Sequence, residues 1–147
     1  MISLDSNILA YAADNLAGSR HLQAEELLRS AHQAGAALTE QSIFELLNVS
    51  TIKAKRSTLD TVAIIRELTA NFRVLYPPLT IVEDVLRLLQ SHKLNVWDAR
   101  MLVVCAANGC DYLLSEDMQD GAQYGGVTVI DPFKPRNAAI IEQVMSL

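Results

Sequence analysis

An α/β fold built on a central, mainly parallel sheet is what this sequence predicts, and three observations predict it. Short strand-like apolar runs alternate with longer helical ones, half of the 147 residues are apolar, and no repeat, linker or low-complexity segment interrupts the series. A parallel sheet covered by helices on both faces is the economical way to bury such an alternation.

Each element follows from local signals. Residues 2–4 (ISL) read as a short strand, and Ser6-Asn7 can cap the helix that continues through Ile8, Leu9, Tyr11 and Ala12. A second helix spans about residues 19–34, with Leu22, Leu27 and Leu28 on its apolar side and Gly35 as its stop. Residues 36–38 form a strand, and Thr39 opens a helix that reaches about Lys55 and carries Ile43, Phe44, Leu47 and Ile52. Ser57 caps the next helix, residues 59–71, and the brief strand at 74–76 is halted by Pro77-Pro78. Thr80 starts a helix bearing Val82, Val85, Leu86 and Leu89. Residues 97–108 are apolar almost all round, which predicts a buried helix ending at Gly109. Residues 111–114 and 127–130 are the last two strands, separated by the loop SEDMQDGAQYGG, and a short helix starts near Arg136.

Composition narrows the functional classes. No apolar run approaches the ~20 residues of a membrane span. Asp5, Asn7 and Asp14 interrupt the N-terminus where a signal peptide would be apolar, so a cytoplasmic protein is expected. Cys105 and Cys110 have no metal-like spacing and read as core thiols. The net charge is -5 and the pI is about 5.1, which argues against loose, charge-driven nucleic-acid binding. Carboxylates that converge on divalent cations would weaken that argument. Lys53, Lys55 and Arg56 make the one dense basic cluster. It reads either as a solvated helix end, where cations suit the dipole, or as an RNA contact.

Several acids stand in apolar surroundings. Asp5 follows the first strand, and Ser115 and Asp117 follow the strand YLL, at the carboxyl edge where open parallel sheets place functional groups. Asp98 opens a buried helix, and Glu45 lies in a narrow polar lane with Gln41, Ser42 and Asn48. Taken singly, Asp5 serves as an N-cap, Asp98 suits a helix dipole, and Asp117 is an ordinary loop acid for which Glu116 and Asp120 compete. Taken together, all four can meet at one sheet edge. An all-oxygen cluster without His or Cys pairs suits Mg²⁺ or Mn²⁺ rather than Zn²⁺, and such sites serve phosphate chemistry. A Gly-rich phosphate loop, a GxSxG elbow and an HExxH pair are all missing. Asp5-Ser6-Asn7 lacks the second acid of the DxD in haloacid-dehalogenase-type phosphatases, and Asn7 and Leu9 replace the serines of a DxSxS adhesion site.

The chain resembles the PIN domains, specifically the VapC-type ribonuclease toxins of toxin-antitoxin modules. The resemblance rests on LDSNIL-x-Y at the start, Glu45 in SIFELLNV, WDA-x-M at 97–101, DYLLSEDMQDG at 111–121 and the closing VTVIDPF, and it covers nearly the whole chain. It implies one domain over residues 1–147, a three-layer α/β/α sandwich, and Asp5, Glu45, Asp98 and Asp117 around one or two Mg²⁺ or Mn²⁺ ions. It implies Asn7 and Ser115 as supporting groups that orient the carboxylates, and Asp120 as a further acid. The expected activity is hydrolysis of RNA phosphodiester bonds without a covalent protein intermediate. The expected partners are structured RNA, a second copy of the chain in a homodimer, and a cognate antitoxin whose Arg or Lys takes the place of the metal. A housekeeping RNA-processing nuclease and a catalytically silent scaffold are the alternative readings.

Overall fold

The structure, a computed structural model, describes residues 1–53 and 55–146. Its elements run β1 (Ile2–Leu4), α1 (Ser6–Ala13), α2 (Ser19–Gln33), β2 (Ala37–Thr39), α3 (Glu40–Asn48), a π-helical turn (Val49–Lys53), α4 (Thr58–Asn71), β3 (Arg73–Leu75), α5 (Ile81–Ser91), α6 (Val96–Ala107), β4 (Tyr112–Leu114), β5 (Gln123–Tyr124), β6 (Val127–Ile130), a 3₁₀ turn (Pro135–Asn137) and α7 (Ala138–Met145). The strands form a six-stranded sheet in the order β3-β2-β1-β4-β6-β5, parallel except for the antiparallel β5–β6 pair. The predicted α/β architecture is the one observed.

Strand alternation assigns side chains to the two faces. Leu4, Leu38, Leu114 and Ile130 pack with Ile8, Leu9, Leu27 and Leu68 from α1, α2 and α4. Ala37, Leu113, Val127 and Val129 pack with Met101, Leu102, Val104 and Cys105 from α6. Burying a Leu or Val side chain contributes on the order of 1.5–3 kcal/mol, so these two layers clamp the sheet and fix its register. Cys105 and Cys110 are buried free thiols, as predicted.

Because β1 pairs with β2 on one side and β4 on the other, the strand order reverses between β1 and β4. Open α/β sheets carry a crevice at such a reversal, outside the carboxyl ends of the strands. Three helices that start at this end are capped by side chains: Asp5 accepts from the Ser6 N–H, Thr39 from Ser42, and Asn95 from Trp97 and Asp98. Caps of this kind hold a helix start by ~1 kcal/mol each. The first turns are thereby fixed against the sheet edge.

Four details differ from the sequence expectations. The helix expected to reach Lys55 is α-helical only to Asn48 and then widens into the π turn, where the Thr51 hydroxyl donates to the Leu47 carbonyl at 2.7 Å; position 54 lies outside the described residues. Lys55 has left the helix and adopts a left-handed φ of 51°. The loop after β4 contains β5, a two-residue strand whose pairing to β6 supplies what local propensity does not. The helix expected to be buried all round is open at its start, where Trp97 is 61% exposed. Phe44 and the α5 residues Val82 and Leu86 are likewise exposed. Among the described residues no helix is long and apolar enough to cross a membrane.

Candidate functional site

Asp5 sits at the strand reversal and is only 6% exposed. Its Oδ1 accepts from the Ser6 N–H at 2.6 Å, and its Oδ2 accepts from the Ser115 hydroxyl at 2.6 Å and from the Asn7 amide at 3.4 Å. The cap reading of Asp5 is therefore correct, and it does not exclude the other. Two short polar links carry Asp5 outward. The Ser6 hydroxyl reaches Glu45 Oε2 at 2.6 Å while lying 3.3 Å from Asp5 Oδ1. The Asn7 amide also donates to Asp117 Oδ2 at 3.1 Å, and the Asp117 N–H donates to the Ser115 hydroxyl at 3.2 Å.

Asp98 joins by position. Its N–H is received by the Asn95 side chain, whose amide in turn donates to Asp98 Oδ2. The charges of Asp117 and Glu45 are felt at Asp98, and burial, first among the causes, raises its pKa together with them against the Asn95 bond. Asp5 is pushed further, from 3.8 to about 6. Burial dominates, the Ser115 and Ser6 bonds oppose it, and the charges of Glu45 and Asp117 add to it. Among the described residues no Lys, Arg or His forms an ion pair with any of the four acids. Among the described residues this cluster of like charges has no counter-charge.

The donor set can be tested against a divalent cation. Among the described residues no three His, Cys, Asp or Glu side chains stand close enough to form a finished coordination group. The acids are linked through Ser6 and Asn7 instead of touching. Asn7 Oδ1 is buried without a hydrogen-bond partner, so one neutral oxygen beside Asp5 is left over. Oxygen-only donors, excess negative charge and a spare acceptor fit a hard cation that keeps several waters, as Mg²⁺ and Mn²⁺ do.

The remaining loop acids separate cleanly. Glu116 accepts from the Tyr11 hydroxyl and pairs with Arg20 at 3.4 Å, which leaves Asp117 as the loop acid turned to the Asp5 group. Asp120, expected as a further acid of the site, is instead the anchor of the C-terminal segment. Its oxygens accept from the Asp131 N–H at 3.0 Å, the Asn137 amide at 2.8 Å and Arg136 at 2.6 Å, with Lys134 at 3.6 Å. Burial would raise its pKa, but those donors and cations outweigh burial and hold it at about 2. Of the basic cluster, Arg56 is tied to the Ala13 carbonyl, whereas Lys53 and Lys55 are exposed. Sequence reasoning took Ser6 for a cap alone, and it missed Arg100, which reaches Glu40 and Gln41 from α6. An arginine two residues past Asp98 was the available signal.

Comparison with known proteins agrees with this architecture. No curated protein matches the chain in sequence. Among solved structures, the chain is similar to VapC20 from Mycobacterium tuberculosis, described as a Sarcin-Ricin loop cleaving toxin (TM-score 0.63, 18% identity, 80% of this chain and 92% of that one). It is similar to a toxin-antitoxin complex from Klebsiella pneumoniae (TM-score 0.64, 23% identity, 91% and 99%). It is also similar to VapBC2 from Rickettsia felis bound to a DNA fragment from its promoter (TM-score 0.62, 12% identity, 88% and 97%). At these identities the likeness speaks for the fold. The family model described as PIN domain matches residues 2–119, four-fifths of the length, and the chain belongs to the PIN domain family.

Proposed function

We propose that the chain is a single-domain, Mg²⁺- or Mn²⁺-dependent endoribonuclease of the VapC toxin type, homodimeric and silenced by a cognate antitoxin. The observation that carries the reading is the Asp5 node. A buried carboxylate at the strand reversal is linked through Ser6 to Glu45 and through Asn7 to Asp117, without a cationic partner among the described residues. Further support comes from the PIN domain match and from the toxins and toxin-antitoxin complexes among similar structures.

In this reading Asp5, Glu45, Asp98 and Asp117 hold the ion or ions. When bound, such an ion lowers the pKa of water and stabilises the charge that builds up on a phosphate in hydrolysis. The chain's own groups do the rest. Ser115 and Asn7 orient Asp5 and Asp117, and Ser6 orients Glu45. Asp5 gives up its proton before it can ligate, because burial keeps the proton on up to about pH 6. Asp117, the exposed acid, marks the side from which RNA would approach, with Lys53 and Lys55 as candidate phosphate contacts. A net charge of -5 suits a basic antitoxin segment that supplies the missing counter-charge.

The test is cleavage of cellular RNA by purified protein. Activity is expected with Mn²⁺ and not with EDTA or in Asp5→Asn, with new 5′ ends at a defined site. Equal inertness of wild type and Asp5→Asn would favour a silent scaffold. In cells, induction of the wild type alone should halt growth, Asp98→Asn should abolish the arrest, and the gene immediately upstream should relieve it. Growth unaffected by wild-type induction would remove the toxin assignment and leave a housekeeping nuclease.

A further inference from the structure

We infer that Gln41 is a positioning residue that aims Glu45 and ties it to the backbone beside Asp98 while keeping the charge of Arg100 out of the acidic pocket. The inference rests on the reading of the four acids as cation ligands. Gln41 lies in the first turn of α3 and is buried, and every polar arm of its amide is used. Its Nε2 donates to Glu45 Oε1 at 2.8 Å and to the Trp97 carbonyl at 3.0 Å, and its Oε1 accepts from Arg100 Nη1 at 2.9 Å. The opposite amide orientation would face its oxygen against two acceptors and its NH₂ against a guanidinium, so the partners determine which way it points.

The order of groups carries the argument. Glu40 pairs with Arg100, Arg100 donates to Gln41, Gln41 donates to Glu45, and the other oxygen of Glu45 receives the Ser6 hydroxyl. A guanidinium placed directly on Glu45 would provide the counter-charge itself and compete with a cation for the same carboxylate. The neutral amide passes on orientation without charge, and Glu40 balances Arg100 on the far side. The Trp97 carbonyl belongs to the residue before Asp98, so the same amide couples the acid of α3 to the acid of α6. Pinning α3 to α6 alone would need only the Trp97 and Arg100 bonds. The second Nε2 hydrogen, spent on Glu45, is what assigns Gln41 to the site.

The experiment is titration of full-length protein with Mn²⁺ alone, by calorimetry, at a temperature where each variant is fully folded by circular dichroism. Gln41→Met keeps the buried volume and removes both donors. It is expected to weaken Mn²⁺ binding by ~10-fold or more. If Gln41→Met does not fold, Arg100→Lys reads the same link from its far end, since an ammonium cannot fork to Glu40 and Gln41 together, and a loss of several-fold is expected. A merely structural role would lower the melting temperature and leave the Mn²⁺ affinity of the folded protein within twofold of wild type. That result in the variant that folds would overturn the inference. Wild type that binds no Mn²⁺ would overturn the cation reading itself, and the two failures are thus distinct.

Discussion

Two groups of acids at the carboxyl edge of the sheet make opposite use of the same chemistry. Around Asp120 the fold brings Arg136, Lys134, Asn137 and a backbone N–H to one carboxylate, and its pKa falls to about 2 despite burial. Around Asp5 the fold brings hydroxyls, amides and further carboxylates but no cation among the described residues, and the pKa climbs to about 6. Burial pushes in the same direction in both places. What differs is whether the chain supplies its own counter-charge. The first group is complete as folded and holds the C-terminal segment. The second has no counter-charge of its own among the described residues, and on the proposed reading a cation from outside supplies it.

The largest effect expected from breaking this contrast is on activity. Asp98→Asn, which removes a charge and keeps the shape, should lower the rate of Mn²⁺-dependent RNA cleavage by ~10²–10³-fold, a loss of the size seen when one group stabilising a transition state is removed. Single-turnover cleavage of mapped substrate checks it. Next in size is stability without metal. A folded pKa above the unfolded value means that the fold prefers neutral Asp5, so this contribution is present below pH 3.8 and is lost as pH rises through about 6. Asp5→Asn keeps the acceptor for the Ser6 N–H and replaces the acceptor for Ser115 by an NH₂, toward which the Ser115 hydroxyl must turn its oxygen. At pH 7.5 it should stabilise the metal-free protein by up to ~3 kcal/mol, the 1.36 kcal/mol per pKa unit applied to this shift, and the gain should vanish near pH 4. Urea unfolding across that range measures it.

Asp120→Ala should go the other way. It should destabilise by about 2 kcal/mol, because a partly buried anion and its hydrogen bonds to Arg136 and Asn137 are lost. The folded pKa here lies below the unfolded one, so the Asp120 contribution is present above pH 3.8 and fades as pH falls toward 2. Mn²⁺ affinity should be unchanged in this variant, and an altered affinity would return Asp120 to the site. The smallest effect concerns Lys55, held at a φ of 51°. Lys55→Gly should stabilise by ~0.5–1 kcal/mol in thermal unfolding, since glycine adopts that conformation without a Cβ clash.

The same contrast explains how much could be read in advance. Strand-helix alternation, caps such as Ser57 and stops such as Gly35 and Gly109 depend on neighbours in the chain, and they placed the elements to within a few residues. Asp5, Glu45 and Asp98 stood out because a charge among apolar neighbours needs an explanation, and Asp117 because it follows a strand at the carboxyl edge of the sheet. For Asp120 the resemblance implied a place among the site acids, whereas the partners the fold gives it lie 11 to 17 residues further on, where spacing does not show what a carboxylate will meet. Ser6 looked like a cap because its hydroxyl partner, Glu45, is 39 residues away. The strand β5 was invisible for a related reason: two residues carry no periodicity, and only β6 makes them a strand.

If a divalent cation supplies the counter-charge that the Asp5 group lacks among the described residues, thermal unfolding at pH 7.5 with and without Mn²⁺ will show it. Ligand at 100 times its dissociation constant stabilises a one-site protein by ~2.7 kcal/mol, which at this chain length is a rise of roughly 5–10 °C in Tm. That rise is expected for wild type and for Asp120→Ala, and it should disappear in Asp5→Asn. A wild-type Tm that ignores Mn²⁺, or one that rises equally in Asp5→Asn, would contradict it.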